Sequence, residues 1–331
     1  MIALDANGAD RGPAAVAEGA RRSGLPVLLF GPAAQLADAG ELAQVVDAPE
    51  AITAADEPAR AARSRPDASI VQAARAVSEG RADALVSPGA TGGVLAASAL
   101  EIKRLRGVHR PAIAALIPAP DGPTLLLDAG ANVEVRPEHL VQFAYLGACF
   151  MEAVVGVTRP RVGLLSVGEE PEKGTPDVVE AHARLASGSL NFVGNVEGFD
   201  VPAASVDVVV TDGFTGNIAL KVAEGTVKTL TGAIRDAIRS GPVSSVGGLL
   251  IRRRLAGLRR QLEPERTGGA ILLGLRKPVV VAHGSFGPDG IASAVQMARR
   301  AVDERMVERT AEALEAAGVM RSAPTASVAP Q

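Results

Sequence analysis

Short apolar runs alternate with helix-period segments along most of this chain, and that alternation limits its fold more than any other feature. A strand covered on both faces reads as an unbroken Val/Ile/Leu/Ala run, whereas the helix that covers it shows a 3.6-residue period. Repeated in turn, the two patterns predict an α/β chain: a largely parallel, Rossmann-like sheet flanked by helices. Strands are expected at residues 2–6, 27–30, 84–87, 162–167, 191–196, 206–211 and 279–282. Helices are expected near 13–23, 64–79, 91–105, 137–155, up to 185, 217–239, 249–262 and 291–317. The segments 112–117 and 124–128, separated by a turn containing Asp121-Gly122, read as an antiparallel hairpin. Residues 243–248 read as a small, weakly polar tip between two helices. One catalytic unit of two subdomains is expected over 1–318, with a helical arm at about 235–266 and a disordered tail at 319–331.

Bulk properties remove several functions. A net charge of −3 argues against general affinity for nucleic acid, which needs a basic footprint. One cysteine excludes an internal disulfide framework and a thiolate zinc cluster. No signal peptide or membrane span is read in the sequence, so a cytoplasmic protein is expected, with attachment to a membrane surface left open. Only five of the 34 basic residues are Lys, so a Lys here can mark a place suited to a compact ammonium.

The chemistry is expected in five Gly-containing strand-end loops: Asp5–Gly12, Ser87–Gly93, Asp128–Asn132, Gly168–Gly174 and Asp212–Asn217. One such loop alone is more often just a turn. Five on one sheet edge, each able to aim backbone N–H groups at an anion, point to a phosphate-like ligand. The candidate contacts are Asp5, Gly8, Gly89, Thr91, Gly92, Asn132, Gly168, Glu169, Gly213 and Gly216, with His283 at the last strand end. Two residues carry the most weight. Lys173 stands among Glu169, Glu170 and Glu172, which are expected to orient its ammonium or bind main-chain donors. Asn217, at a helix start, can donate to a developing oxyanion, or it can simply cap the helix. No protein nucleophile stands out: His283-Gly284-Ser285-Phe286-Gly287 misses the Gly-x-Ser-x-Gly elbow, and Cys149 lies in an apolar helix. The four His residues lack metal-ligand spacing, so no metal or other cofactor is expected.

With these loops in place, the chain resembles the bacterial acyl-acyl-carrier-protein:phosphate acyltransferases over residues 2 to about 299. The resemblance is carried by Ala3-Leu-Asp-Ala6, Leu126-Leu-Asp-Ala-Gly-Ala-Asn132, Pro137-Glu-His-Leu-Val-Gln-Phe-Ala144 and Gly168-Glu-Glu through Lys173-Gly174. Asn191-Phe-Val-Gly-Asn-Val-Glu-Gly198, Asp212-Gly-Phe-Thr-Gly-Asn217, Gly268-Gly-Ala270 through Leu275, and Ala282-His-Gly284 continue it. Departures fall in two loops: Asn7, Ala9 and Arg11 replace the family's Met, Gly and His, and Ala90 replaces an Asn. The resemblance implies a two-subdomain fold like that of isocitrate and isopropylmalate dehydrogenases. It implies transfer of a fatty acyl group from acyl-acyl-carrier protein to inorganic phosphate, with Lys173 and Asn217 as the catalytic pair. It also implies a homodimer and peripheral membrane contact, and a downstream glycerol-3-phosphate acyltransferase is an expected partner. Arg252, Arg253 and Arg254, in a segment 235–266 of net charge +5, are the expected membrane or partner contacts. The competing readings are a related enzyme using coenzyme A thioesters, a dehydrogenase of similar fold, and a non-catalytic scaffold at the membrane surface.

Overall fold

The computed structural model describes residues 1–119, 122–261 and 264–321. Its centre is an 11-stranded sheet. In chain order the strands are β1 (Ile2–Asp5), β2 (Val27–Gly31), β3 (Ala43–Asp47), β4 (Ala84–Ser87), β5 (Ala112–Ile117), β6 (Thr124–Leu127), β7 (Val162–Leu165), β8 (Phe192–Val196), β9 (Val208–Val210), β10 (Ala270–Leu273) and β11 (Val279–Val281). The helices are α1 (Pro13–Ser23), α2 (Pro58–Ser64), α3 (Ser69–Ser78), α4 (Thr91–Glu101), α5 (Pro137–Phe150), α6 (Pro176–Ala186), α7 (Asp200–Ala203), α8 (Gly213–Arg239), α9 (Pro242–Gln261), α10 (Pro288–Asp303) and α11 (Met306–Ala316).

Across the sheet the order is β3-β2-β1-β4-β11-β10-β5-β6-β9-β7-β8. The first five strands run parallel to one another, as do the last four. Between the two blocks, β10 is antiparallel to β11 and to β5, and β5 is antiparallel to β6. Three successive antiparallel pairings, an odd number, therefore leave the blocks pointing in opposite directions. This corrects the expectation of five loops on one edge: the ends of β1, β4 and β11 lie at one edge, and those of β6, β9 and β7 at the other. The reversal is invisible in the pattern of apolar runs, because a buried antiparallel strand reads like a buried parallel one.

Alternation along each strand divides the core. Ile2 and Leu4 face a cluster built with α1, α5, α10 and α11, while Ala3 faces the other side with α2, α3 and α4. A third, smaller cluster forms around Leu126, Val201 and Val209. Several expected boundaries shift for local reasons. The helix expected from residue 64 to 79 begins only at Ser69, because Pro66 removes a donor and disfavours helix at Arg65, and a separate helix, α2, which was not expected, ends at Ser64. The helix expected at 291–317 breaks at Arg305, whose φ is 50°. The last turn of the helix expected at 137–155 is a π-turn over Met151–Val155, closed by Gly156 at φ 88°. The supposed tip at 243–248 is itself helical, within α9. The tail beyond Arg321 lies outside the described residues, as does part of the 112–128 hairpin turn.

Candidate active site

The second block's edge is organised by one carboxylate. Asp128 is fully buried and accepts from the backbone N–H groups of Ile113, Gly130, Ala131 and Asn132 and from Asn132 Nδ2, at 2.7–3.1 Å. Burial pushes its pKa up, and those donors pull the other way. The Asn132 amide also donates to the Pro111 carbonyl at 2.8 Å, so it is committed to loop structure. Gly213 and Gly216 pack directly on this loop. A Cβ at Gly213 would stand 2.8 Å from the Asn132 backbone, and one at Gly216 would stand 1.9 Å from the Asp128 carbonyl oxygen.

Asp212 caps α8, accepting from Thr215 N at 2.8 Å and Thr215 Oγ1 at 2.7 Å. Asn217 is thereby free of the capping role. It is exposed in the second turn, beside Gly130, and its side chain has no hydrogen-bond partner among the described residues.

Lys173 lies on the loop after β7, one strand from β9. Ser166 Oγ donates to the Lys173 carbonyl at 2.8 Å, and Asn195 Nδ2 donates to the Glu170 carbonyl at 2.7 Å. These contacts hold the backbone of the loop, while Glu169, Glu170, Glu172 and Lys173 are all exposed. The carboxylates do not grip the ammonium as expected, and Lys173 has no ion pair among the described residues. Gly168 is buried at the root of the loop.

At the opposite edge, Asp5 holds two loops together. Its buried carboxylate accepts from Ser69 Oγ at 2.6 Å, Ser87 Oγ at 2.7 Å and Asn7 N at 3.1 Å. Ser87 Oγ in turn accepts from Gly89 N at 3.0 Å. Desolvation raises the Asp5 pKa to about 6 despite these donors. Gly8, at φ 86°, approaches so closely that a Cβ would stand 2.6 Å from Gly89 Cα. Thr91 and Gly92 open α4, whose N-terminus has no side-chain cap. That leaves backbone N–H groups able to meet an anion. At the end of β11, His283 Nδ1 accepts from Ser285 N at 3.2 Å, which leaves the ring proton on Nε2 as a donor.

A cavity of about 980 Å³ connects the two edges along one face of the sheet. Thr91, Gly92 and His283 line it from the first block, and Gly130 and Asn217 from the second. Its walls are largely apolar: Leu95, Ile113, Ala115, Ile117, Leu220 and Val227. Lys173, Asp5, Gly8, Gly89, Asn132, Gly168, Glu169, Gly213 and Gly216 do not line it. Sequence reasoning missed Lys221, Glu224 and Lys228, which line it from α8. Their i, i+3, i+7 spacing places them on one helix face, and two are among the chain's five lysines. Lys221 Nζ pairs with Glu224 at 2.8 Å.

The fold also gathers His109, Glu138 and His139, with a ligand atom of each within 4.8 Å of the others. Sequence spacing gave no hint of this group. His139 Nδ1 accepts from Arg136 N at 3.1 Å, so Nε2 carries the proton in the neutral ring. Burial lowers both His pKa values, and nearby Arg residues add to the effect. With His139 Nδ1 already accepting from Arg136 N and several guanidinium groups nearby, the cluster is a poor seat for a cation.

The architecture belongs to a class shared by phosphotransacylases and certain dehydrogenases. EutD phosphotransacetylase from Staphylococcus aureus superposes with a TM-score of 0.58 at 15% identity, over 91% of this chain and 94% of that one. The 4-hydroxythreonine-4-phosphate dehydrogenase of Klebsiella pneumoniae gives 0.52 at 16% identity, over 91% and 99%. At such identities the likeness is one of fold. Sequence relatives take the matter further. The model of the fatty acid synthesis protein family matches residues 1–309. A phosphate acyltransferase of Heliobacterium modesticaldum is 41% identical over 318 residues, covering 92% of this chain and 95% of that protein. Another, from Thermobifida fusca, is 42% identical over 335 residues, covering 97% and 92%. The chain belongs to this family of fatty acid synthesis proteins and is an acyltransferase.

Proposed function

We propose that the protein transfers a fatty acyl group from the thioester of an acyl-carrier protein to inorganic phosphate, supplying acyl phosphate for phospholipid synthesis. The observation that carries this reading is the cavity itself. An unpartnered Asn217 amide, the uncapped N-terminus of α4 and the Nε2–H of His283 all open onto a long apolar space. Apolar walls suit a hydrocarbon chain, and the polar groups suit the acyl carbonyl and the phosphate. Phosphate oxygen attacks the thioester carbon, a tetrahedral oxyanion forms, and the C–S bond breaks to release a thiolate. Phosphate is its own nucleophile, so no enzyme nucleophile is required. Asn217 donates to the oxyanion, a contact of a kind typically worth about 3–4 kcal/mol. His283 Nε2–H and the N-terminus of α4 offer donors to the phosphate, and Lys173, whose loop stands outside the cavity lining, would have to swing inward to offset its charge. A simple thiol has a pKa of about 8.5, so its departure needs little acid assistance.

The remaining parts of the reading concern assembly. Beyond Gly216, α8 and α9 expose an apolar series that includes Ile218, Leu230, Ile234, Val243 and Leu250, the last two 86% and 80% exposed. Pairing of α8 with a second copy would cover part of it, making a homodimer. The α9 end, where Leu250 and Ile251 adjoin exposed Arg252, Arg253 and Arg254, suits peripheral contact with anionic lipid on the inner membrane face. A glycerol-3-phosphate acyltransferase there would consume the product. No described helix is long and apolar enough to cross a membrane. The reading is tested by incubating the purified protein with acyl-acyl-carrier protein and phosphate and following thiol release. Release that requires phosphate is expected, and its absence would overturn the proposal.

A further inference from the structure

Positive charge collects at the surface where four segments of the chain meet, outnumbering the carboxylates Glu134 and Glu138 of the same region. Lys103, Arg104 and Arg110 come from the segment between α4 and β5, Arg136 precedes α5, Arg276 sits in the β10–β11 turn, and Arg321 follows α11. All six are exposed, and none has a carboxylate ion pair among the described residues. Glu101, the acid nearest in sequence to the first three, is taken up by Arg75 at 3.0 Å.

Backbone contacts draw these segments together. Arg276 N donates to the Lys103 carbonyl, Leu105 N to the Gly274 carbonyl and Arg321 N to the Gly107 carbonyl. Gln142 Nε2 joins the Gly107 and Val319 carbonyls at 2.9 and 2.7 Å. The charges are close enough to act on a common centre. Arg321, Arg104 and Arg136 all act on His109, and Arg110 and Arg136 act on His139, with Glu138 as the opposing carboxylate.

We propose that this face is the docking surface for the acyl-carrier protein, holding acidic side chains of the carrier while its thioester arm enters the cavity. The inference rests on the carrier-protein reading above. Three observations select such a partner. The cations come from four separate elements and are exposed, so they form a broad surface and not a pocket for one small anion. Guanidinium forks match carboxylates well. The long run of exposed apolar residues that would suit lipid is on α8 and α9 instead. Position supports the same choice. Pro111, next to Arg110, accepts from Asn132; Asn132 packs on Gly213; and Gly130 of the same loop lies against Asn217. A carrier seated on the face stands beside the Asn217 end of the cavity.

The test compares two acyl donors, acyl-acyl-carrier protein and a short acyl-pantetheine thioester, each with phosphate. In the double variant Arg110→Glu/Arg136→Glu, KM for the carrier substrate should rise about tenfold or more, and its dependence on salt should flatten. Turnover of the short thioester should be unchanged. Arg110→Gln/Arg136→Gln should fall between wild type and the reversed variant. Equal KM values for the carrier across all three proteins would overturn the docking surface, as would an equal loss with both donors. A wild type that uses the short thioester but not the carrier would instead overturn the donor assigned under the proposed function.

Discussion

Asp5→Asn should make the protein more stable at neutral pH while weakening its hold on phosphate. The wild-type carboxyl is fully buried, and its pKa rises from 3.8 to about 6. The sign follows from proton binding. Between those two values the folded state holds more protons than the unfolded state, so stability falls as pH rises through the window. Above about pH 6 the ionised carboxylate costs the fold about 3 kcal/mol, from roughly two pKa units at 1.36 kcal/mol each. Asn removes the charge and keeps one acceptor for Ser69, Ser87 or Asn7, so part of the hydrogen bonding is lost. A gain of about 1–3 kcal/mol at pH 8 is expected, shrinking toward zero or reversing at pH 4. Denaturant unfolding at the two pH values measures it. Function should move the other way, because Ser87 places the Gly89 N–H and Gly89 leads into the N-terminus of α4. KM for phosphate should rise several-fold more than kcat falls. If Asp5→Asn were less stable at pH 8 by the same margin as at pH 4, hydrogen bonding and not desolvation would govern this site, and the reasoning would be refuted.

Other perturbations separate the parts of the site. Asn217→Ala should lower kcat by about 10²–10³-fold in steady-state assays, with little change in either KM, if its amide meets the oxyanion. Gly216→Ala should destabilise the fold by several kcal/mol on the order of a severe overpacking change, seen as a lowered melting temperature, because its Cβ would meet the Asp128 carbonyl oxygen at 1.9 Å. Ala115→Phe, on the cavity wall, should shift preference toward shorter acyl chains in competition assays and leave KM for phosphate unaltered.

Much of the fold was legible because buried strands and amphipathic helices leave different periods in the sequence. Asp121-Gly122 marked the antiparallel hairpin correctly, and β5 pairs with β6 over Ala114–Ile117. Two strands escaped. β3 is an edge strand, polar and partly exposed, so its alternation is weak. β10, in Ala270–Leu273, follows Gly268-Gly269 and is too short to show a period. Their consequences differ. Missing β3 changes only an edge, whereas β10 is one of the elements that turns the second block around.

That reversal decides where a ligand can sit. In a singly directed open sheet the ligand lies beyond the carboxyl ends of the strands, so loops on one edge should suffice. Here the loops are split, and neither edge alone brings Thr91 and His283 to Asn217. The groups share one cavity because β5, buried between the blocks, presents Ile113, Ala115 and Ile117 on one face, with α4 and α8 on either side. The site is thus a trough across the sheet instead of a crevice at its rim, and its length comes from the strands that separate the two edges. Local sequence could mark each anion-binding loop and could single out Asn217. It could not say that the same strand reversal would leave an apolar floor between them, and that floor is what allows a long hydrocarbon chain beside a phosphate.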